Sequence, residues 1–345
     1  MKRILLFFGG CSTEYGVSLQ SAHAVLTHLD RSRFEPLLVG ITQSGGWLCY
    51  TGAPDAIPAD RWQGPDCVPC TLALSRGVSR LILLDGSGTQ LPFDAAFPVL
   101  HGKNGEDGTL QGLLELAGVP VIGCGALSSA LCMDKDRAHK LAALAGVRVP
   151  RSAVFRRGAG IGEIRAAADE LGYPLFVKPV RAGSSFGITR VTAPEGLAGA
   201  AAAAFANDRE ILLEEAIPGF EVGCAVLGAD ELTVGAVDEI ELSQGFFDFE
   251  EKYTLKTSVI HCPARIPPKK AAEIQAAAKA VYRALDCKDF ARVDLFLTPA
   301  GEIVFNEVNT IPGFTAHSRY PNMMKAVGLD FTTLITSIIE TEVGA

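Results

Sequence analysis

The chain has 345 residues, of which 48% are hydrophobic and 20% are charged, and its formal net charge at pH 7 is -8. The length predicts two or three subdomains in a soluble globular protein with a large core. The acidic balance argues against nucleic acid or an anionic membrane surface as the main partner.

The amino terminus, "MKRILLFFGGCSTE", is predicted to form a buried first strand. Its apolar run ends at Gly9 and Gly10 and is too short for a signal peptide, and no apolar run in the chain approaches the length of a membrane span. The nine cysteines are scattered, and the one C-x-x-C, from Cys67 to Cys70, has no second pair or nearby histidine that would indicate zinc or redox use. These features are typical of a cytoplasmic protein.

The first third of the chain alternates short apolar strands with helices. Strands are expected at "RILLFFGG", "FEPLLVGIT", "RLILL", "AAFPVLHG" and "VPVIGCG", and helices at "VSLQSAHAVLTHL" and "GTLQGLLELAG". This pattern predicts the α/β class, with a doubly wound, largely parallel sheet up to about residue 123. Glu14 and His101 fall at carboxyl ends of strands, where ligands of such sheets bind.

The pattern changes after Gly125. One helix is predicted through "SSALCMDKDRAHKLAALAG", followed by strands at "RVPRSAVF" and "YPLFVKPV" and an alanine-rich helix at "LAGAAAAAFA". A third part begins near Ile211 and contains "EEAIPGFEVGCAVLG", "LTVGAVDEIEL", the helix "PKKAAEIQAAAKAVYRAL" and the strand pair "ARVDLFL" and "EIVFNEVN". The chain shows no internal repeat.

The stretch "VKPVRAGSSFGITRV" places a loop of small and hydroxylated residues between two strands, just after Lys178. It lacks the G-x-x-x-x-G-K-[ST] spacing and precedes a strand, so it is not a Walker loop. Its backbone N-H groups and hydroxyls could still bind phosphate beneath a flap. An ordinary hairpin turn with a surface lysine is equally compatible with this stretch alone.

The strand pair "ARVDLFLTPAGEIVFNEVNT" carries the clearest sign of chemistry. With a turn at 298–301, the expected cross-strand pairs are Leu297 with Glu302, Asp294 with Phe305, and Arg292 with Glu307. Because side chains alternate along a strand, the two faces of this hairpin carry different residues. The first face holds Arg292, Asp294, Glu307 and Asn309, and the second holds Val293, Leu295, Val304 and Asn306.

Oxygen ligands from Asp294, Glu307 and Asn309 suit Mg²⁺, which shares its remaining positions with nucleotide phosphates. Arg292, on the same face, could stabilise negative charge on a transferred group. The alternative is an exposed salt-bridge ladder, but the flanking residues are too apolar for a solvated strand.

Lys135 and Lys178 could then hold nucleotide phosphates, with the 183–187 loop covering them. Glu214, Glu215 and Glu221 lie in the connecting strand region, where they could accept hydrogen bonds from an adenine amine or from ribose hydroxyls. A solvated face explains each of these glutamates equally well.

The ordered set of motifs resembles the ATP-grasp carboxylate-amine ligases, and within them the D-alanine:D-alanine ligase family. The motifs are "FGGCSTEYGVSLQSA", "VLHGKNGEDGTLQGLLELAGVPVIG", "MDKDRAHK", "VKPVRAGSSFG", "EEAIPGFE", "FFDFEEKY" and "RVDLFLTPAGEIVFNEVNTIPGFTAHSRYP". The resemblance implies an ATP-grasp fold, with an N-terminal doubly wound parallel-sheet subdomain (1–123) and two α+β subdomains (124–212 and 213–345) that enclose ATP. It also implies a lid loop at 241–258 and a homodimer.

The resemblance implies roles for individual residues. Glu14 would bind the amine of the first D-alanine, Arg292 and the N-H of Gly313 would form the oxyanion site, and Ser184 and Tyr253 would link to Glu14 and close the site. The other substrate-binding residues would be His101, Lys252, Ser318 and Arg319. The ATP-binding residues would be Lys135, Lys178, Ser185, Glu214, Glu215, Ile217 and Glu221. Two Mg²⁺ ions, which Mn²⁺ could replace, would be held by Asp294, Glu307 and Asn309.

The implied reaction has two steps. ATP converts the carboxylate of D-alanine into an acyl phosphate, while the metal and the lysines neutralise charge on the phosphoryl group. The amine of a second amino acid then attacks, and the oxyanion faces Arg292 and Gly313. The aromatic segment from Phe246 to Tyr253 is interpreted as a lid that excludes water, since as a surface loop it would expose an apolar patch.

Arg319, in "TAHSRYP", departs from the D-alanine:D-alanine pattern, which has an apolar residue there. In this respect the chain is similar to the vancomycin-resistance D-alanine:D-serine ligases of the VanG and VanC type. An arginine could donate to a seryl hydroxyl, although a single such contact would still admit D-alanine. D-lactate ligases differ in the lid, where this chain has "EEKY".

Four alternatives stay open. One is an ATP-grasp ligase for an unrelated acid, against which Glu14, Ser184 and Tyr253 argue only through the resemblance. Arg319 could simply pair with a lid carboxylate such as Glu250 or Glu251. The protein could be a housekeeping D-alanine:D-alanine ligase. It could also be a non-catalytic nucleotide-binding protein, although binding alone would not require Arg292.

Overall fold

The structure is a computed structural model that describes residues 1–183, 187–242 and 258–344. The α/β class predicted from the sequence is confirmed, since the described residues form three sheets with helices packed around them. None of the helices in these ranges is both long and apolar enough to cross a bilayer.

The first sheet has the strand order β6-β5-β4-β3-β2-β1-β7. Its strands are β1 (Lys2–Gly9), β2 (Phe34–Ile41), β3 (Trp47–Tyr50), β4 (Cys67–Leu72), β5 (Arg80–Leu83), β6 (Gln90–Pro92) and β7 (Ala95–Pro98). The helices are α1 (Tyr15–His28) and α2 (Thr109–Ala117), with a 3₁₀ turn at Pro54–Ala56.

The predicted parallel pairing holds only at one end of this sheet. Strand β1 pairs in parallel with β2 and β7, whereas β2 to β6 form an antiparallel meander. The meander arises because no helix separates these strands, and a parallel pair needs a long crossover connection. The predicted strand "VPVIGCG" contributes only one parallel bridge, between Ala96 and Val121.

The helix predicted from "SSAL" to "ALAG" is two helices, α3 (Ala126–Met133) and α4 (Lys135–Leu144). Asp134 between them has extended backbone angles, and its carboxylate accepts the N-H of Arg137. An aspartate in this position is a favourable N-cap, so the helical pattern restarts instead of continuing. The break places Lys135 at the first turn of α4.

The second sheet is antiparallel, with the order β10-β9-β11-β8. Its elements are β8 (Ser152–Arg156), α5 (Ile161–Leu171), β9 (Leu175–Pro179), β10 (Thr189–Val191), a 3₁₀ turn (Pro194–Gly196), α6 (Leu197–Asn207) and β11 (Glu210–Glu215). The alanine-rich segment is the helix α6, as predicted. Strand β11 crosses the expected boundary at residue 212 and pairs entirely within this sheet.

The third sheet has the order β15-β14-β12-β16-β17, with β13 paired to β12. Its strands are β12 (Phe220–Leu227), β13 (Thr233–Val234), β14 (Asp238–Leu242), β15 (Ser258–His261), β16 (Phe290–Leu297) and β17 (Ile303–Asn309). The accompanying helices are α7 (Pro268–Ala284), α8 (Arg319–Lys325) and α9 (Phe331–Val343).

The β16–β17 hairpin brings together the polar face predicted from the sequence, but in a different register. Leu297 pairs with Ile303 rather than with Glu302, and an irregularity between Asp294 and Leu295 shifts the register by one more residue. The actual pairs are Asp294 with Glu307, Arg292 with Asn309, and Leu295 with Phe305. Two one-residue shifts restore the original face, because side chains alternate with period two. Val304 lies opposite Phe296 and does not share the face of Leu295 as predicted.

An aromatic cluster joins the first sheet to the third and to the C-terminal helices. Phe314 packs edge-to-face against Phe97, Phe290 and Tyr320, with ring centroids 5.4 to 6.2 Å apart. All four rings are fully buried. The cluster therefore anchors the segment that follows β17 against the carboxyl end of β7.

Candidate active site

A cavity of about 410 Å³ lies where the carboxyl ends of β1 and β7 meet the β16–β17 hairpin. A volume of this order is typical of a small-molecule site. Nine of the residues implicated by the sequence line it: Glu14, His101, Lys135, Arg292, Glu307, Asn309, Gly313, Ser318 and Arg319.

Glu14 is buried at the start of α1 and marks one end of the cavity. Its backbone N-H donates to Ser12 Oγ, which in turn donates to the carbonyl of His101. Gly102, with φ +73°, lies against the Glu14 carboxylate, and a Cβ at that position would collide with Oε2. The glycine therefore lets the carboxylate reach the cavity.

His101 makes two contacts with protein groups. Nδ1 lies 2.9 Å from the carbonyl oxygen of Ile311, and Nε2 lies 3.0 Å from Ser21 Oγ. Burial lowers the pKa of His101, an effect that the nearby Glu14 carboxylate opposes. Because both ring nitrogens are engaged, the ring has no nitrogen left for the substrate contact expected from the resemblance.

Glu106 lines the same cavity and was not identified from the sequence. Its carboxylate accepts the N-H of Gly102 at 2.7 Å and the N-H of Ile311 at 3.2 Å. Burial, followed by the charge of Glu14, raises the pKa of Glu106 to about 8. The sequence feature that could have identified Glu106 is its position five residues after His101, in the loop that follows the carboxyl end of β7, where ligands of such sheets bind.

Arg292 and Asn309 both donate to Asp294, Arg292 from the same strand and Asn309 from the other strand of the hairpin. Arg292 binds the carboxylate through Nε at 2.8 Å and Nη2 at 2.8 Å, and Asn309 Nδ2 donates to Oδ2 at 2.8 Å. Asp294 is 1% exposed, so this face is not the solvated ladder considered as an alternative. Lys135 approaches from α4, with Nζ 3.8 Å from Glu307 Oε2 and 2.8 Å from the carbonyl of Ala182.

Arg319 is buried at the other end of the cavity and contacts three carboxylates. Nε and Nη2 donate to Asp238 at 2.8 Å each, Nη1 donates to Glu221 at 2.7 Å, and Nη1 lies 3.2 Å from Asp294 Oδ1. Burial disfavours the charge, but these carboxylates, Asp238 foremost, raise the pKa of Arg319 well above its usual value. Glu221, expected at the adenosine, is thus a partner of Arg319, while Glu250 and Glu251 lie outside the described residues.

Asp238 is fully buried and was also missed from the sequence. In "VDEIEL" it is one of three acidic residues, and no local feature distinguishes it from Glu239 and Glu241. Its importance comes from pairing with Arg319, 81 residues away in the chain.

Gly223 makes room for this ion pair, and we expect Gly223→Ala to destabilise the protein by about 1–3 kcal/mol. A Cβ at position 223 would lie 2.8 Å from both Asp238 Oδ1 and Met323 Cε, and closer still to Arg319 Nη2. Denaturant unfolding would measure the loss. Gly199→Ala in α6 is the matched control, since a Cβ there meets no atom within 4 Å. Equal stability of the two variants would show that the ion pair tolerates displacement.

A second polar cluster lies between the second sheet and α4. Lys178 Nζ donates to Glu214 Oε1 at 2.5 Å, and His139 Nε2 lies 2.9 Å from the carbonyl of Asn306. Among the described residues, His139 Nδ1 and Glu214 Oε2 are buried atoms without a hydrogen-bond partner, and they lie 3.9 Å apart. Buried polar atoms are normally paired, so these atoms fit a polar ligand group such as an adenine amine.

Two other residues expected at the nucleotide lie nearby. The Glu215 carboxylate accepts from Arg151 N and Nε, at 2.9 Å each, on the side of β11 opposite to Glu214. A nucleotide contact of Glu215 would therefore come from its backbone. Ile217 is half-buried in the connection between β11 and β12.

The donor set at the hairpin fits Mg²⁺ chemically. Asp294 and Glu307 are direct cross-strand partners, and Asn309 neighbours them. Within the described ranges, no group of three or more His, Cys, Asp or Glu side chains is arranged to hold a metal. Two carboxylates, an amide oxygen and phosphate oxygens would suffice for an ion that uses few protein ligands. Ser184, Ser185, Lys252, Tyr253 and most of the expected lid, 243–257, lie outside the described residues.

Two family models match the chain and together span nearly all of it. The D-ala D-ala ligase N-terminus model matches residues 3–124, and the D-ala D-ala ligase C-terminus model matches residues 141–340. The first model ends three residues after Val121, which forms the last bridge to the first sheet.

Similar proteins cover nearly the full length of the chain. A crystal structure of the VanG D-Ala:D-Ser ligase from Enterococcus faecalis is 55% identical, with a TM-score of 0.93 and 99% of each chain covered. A putative D-alanine--D-lactate ligase from Streptomyces coelicolor is 44% identical over 96% of this chain and 95% of the relative. The vancomycin B-type resistance protein VanB from Enterococcus faecalis is also 44% identical, over 98% and 97%.

These matches confirm the predicted ATP-grasp fold and the predicted family. The likeness in structure extends over all three sheets, and the matched models account for both halves of the chain. The family is ATP-dependent and acts on D-amino acids. The chain belongs to the D-Ala-D-Ala ligase family.

Proposed function

We propose that the protein is a D-alanine:D-serine ligase, which uses ATP and Mg²⁺ to join D-alanine to D-serine through D-alanyl phosphate. The observation that carries this proposal is the buried Arg319 in the cavity wall, beside Ser318 and Gly313. The 55% identity to the VanG D-Ala:D-Ser ligase supports it independently.

Arg319 suits a seryl side chain for two reasons. Its guanidinium is only a donor, so it can bind the lone pair of a hydroxyl but gains nothing from a methyl group. Asp238 holds it in place through Nε and Nη2, so the orientation of any remaining N-H is fixed before the substrate arrives.

The other residues divide between the two steps. Glu14 would bind the ammonium of D-alanine, while Lys135 and Lys178 would contact the phosphates of ATP and Glu214 the adenine. Mg²⁺, held by Asp294, Glu307 and Asn309, would neutralise charge on those phosphates. Arg292 and the N-H of Gly313 would stabilise the oxyanion formed when the D-serine amine attacks the acyl carbon of D-alanyl phosphate. The bond from that carbon to the bridging phosphate oxygen then breaks, which releases phosphate, and the amine loses a proton as the peptide bond forms.

In the remaining roles, Ser184 and Tyr253 would link to Glu14 and close the site beneath the lid. Ser185 would contact ATP, and Lys252 would lie near the carboxylate of the second substrate. The product would enter modified peptidoglycan precursors and so confer vancomycin resistance. The ligase itself would act in the cytoplasm as a homodimer. The division into three subdomains, expected at 1–123, 124–212 and 213–345, is kept as part of the proposal with one change. The second boundary moves from residue 212 to Glu215, because β11 pairs entirely within the second sheet.

A housekeeping D-alanine:D-alanine ligase is the second candidate, and the matched family models favour it. A cavity that contacts serine through one hydroxyl also admits alanine, since a pocket discriminates weakly against a missing group unless a buried polar atom is left unpaired. The two candidates therefore differ in product ratio rather than in chemistry.

The test is a competition assay with the purified protein. D-Alanine is supplied with ATP and Mg²⁺, alone and together with equimolar D-serine or D-lactate, and the products are separated by mass. We expect D-alanyl-D-serine to predominate, with some D-alanyl-D-alanine. Predominant D-alanyl-D-alanine would establish the housekeeping reaction, and predominant D-alanyl-D-lactate would place the chain with its Streptomyces relative.

A further inference from the structure

The segment Ile311–Phe314 lies between the β16–β17 hairpin and α8 and contains Gly313. Ile311 and Phe314 are buried, whereas Gly313 is half-buried and lines the cavity. The Phe314 ring is locked in the aromatic cluster with Phe97 and Phe290. The peptide groups between these anchors lie outside the helices and strands, so contacts other than a regular backbone ladder must fix their orientation.

Side chains from the N-terminal third of the chain supply these contacts. The Phe314 N-H donates to Ser21 Oγ at 3.3 Å, Ser21 Oγ lies 3.0 Å from His101 Nε2, and His101 Nδ1 lies 2.9 Å from the Ile311 carbonyl. The Ile311 N-H donates to Glu106 at 3.2 Å. The backbone is thus held on both sides of Gly313, across as many as 293 residues of sequence.

The donors in this network follow from chemistry. A carbonyl oxygen only accepts, so His101 Nδ1 must carry the hydrogen and Nε2 must accept in the neutral ring. The Ser21 hydroxyl therefore donates to Nε2, which leaves its lone pairs for the Phe314 N-H. Each hydrogen bond determines the direction of the next, and the series of donors runs from the Phe314 N-H through Ser21 and His101 to the Ile311 carbonyl. The depressed pKa of His101, caused chiefly by burial, agrees with a neutral ring.

Gly313 makes such support necessary. Glycine has no Cβ to restrict its backbone, so its own conformational preferences do not determine where the N-H points. A larger residue would also displace a neighbour, because a Cβ at position 313 would lie 2.7 Å from Ser318 Oγ.

We propose that Ser21, His101 and Glu106 are positioning residues that aim the Gly313 N-H at the reacting carbonyl group. This inference rests on the proposed function, in which that N-H stabilises the oxyanion. It also gives His101 a different role from the substrate contact expected from the resemblance.

The test compares Ser21→Ala with Ser18→Ala. Both serines are fully buried on α1, and each accepts one backbone N-H and donates to one further group: Ser18 accepts from Gly9 and donates to the Val99 carbonyl. The two variants should lose similar stability. Only Ser21→Ala should lower kcat, by roughly 10-fold to 100-fold, as expected for misplacement of a catalytic group, with the KM values nearly unchanged. Ser21→Thr, which keeps the hydroxyl, should restore activity.

A second readout does not depend on turnover. Amide hydrogen exchange at 311–314 should be faster in Ser21→Ala than in wild type, and unchanged in Ser18→Ala. If the protein ligated no pair of D-amino acids, the proposed function would fail while the exchange result still reported on the network. Equal kcat losses in the two serine variants, or unchanged exchange at Phe314, would overturn the proposal.

The pH profile separates positioning from acid-base chemistry. His101→Asn places an amide N-H near the position of Nδ1 and so keeps the donor to Ile311, but it loses the acceptor for Ser21. We expect kcat to fall as in Ser21→Ala, with the shape of the pH-rate profile retained. Loss of one limb of the profile would show that His101 transfers a proton to or from the substrate, and would overturn its assignment as a positioning residue.

Discussion

Replacement of Arg292 by methionine is expected to lower kcat for ligation by roughly 10²-fold to 10³-fold, the usual consequence of removing one donor from an oxyanion site. The KM values for ATP and the amino acids should change much less, because the negative charge on the oxyanion exists only in the transition state. Rates of ADP release and of dipeptide formation, measured over a range of each substrate, would check both statements.

Folding should survive this change. Asp294 would keep its hydrogen bond from Asn309 and its ion pair with Arg319, so the carboxylate would not be left alone in the core. Arg292→Lys separates the contribution of the positive charge from that of the side-chain geometry. A lysine retains the charge but cannot form the two-point contact with Asp294. It should recover only part of the lost kcat.

Arg265→Met provides a matched control. Arg265 also pairs with carboxylates of the third sheet, Glu239 and Glu241, but its side chain is 54% exposed and it does not line the cavity. Its loss should leave kcat unchanged. If Arg292→Met raised KM and left kcat intact, Arg292 would be a ground-state binding residue instead.

Local patterns in the sequence predicted most of the elements and nine of the residues that line the cavity, but not the short strands β3, β4 and β6 or the helix break at Asp134. The alternation in "RVDLFLTPAGEIVFNEVN" identified the face that carries Arg292, Asp294, Glu307 and Asn309, and the apolar flanks showed that it is buried. The register was wrong because it depends on the turn and on an irregularity beside Asp294, which leave no mark in a period-two pattern. Two errors of one residue happened to preserve the face.

The residues that the sequence did not reveal are those defined by distant contacts. Asp238 matters because it meets Arg319, and Ser21 matters because it meets the loop at Phe314. Serine and aspartate are common in helices and strands for reasons unrelated to function, so neither has a local signature. Ser21 shares a helix face with Glu14 and Ser18, at spacings of seven and three residues, which is the only local hint of its orientation.

Arg319→Leu should shift the product from D-alanyl-D-serine toward D-alanyl-D-alanine, but it should also destabilise the protein by about 3–5 kcal/mol. Asp238 is 0% exposed and would lose both of its hydrogen bonds from the guanidinium. An unpaired carboxylate in the core costs far more than the removal of an exposed ion pair. A change in specificity measured on this variant alone would therefore be confounded with partial unfolding.

The double variant Arg319→Leu/Asp238→Leu separates the two effects. Replacing both members of a buried ion pair by apolar residues of similar total volume is often neutral, so most of the lost stability should return. The preference for D-serine should not return, because the donor for the seryl hydroxyl is still missing. Denaturant unfolding and the product ratio in the competition assay would be measured on the same preparations. A stable double variant that still favours D-serine would show that another residue selects the second substrate, and would leave Arg319 with a purely structural role in the wall of the cavity.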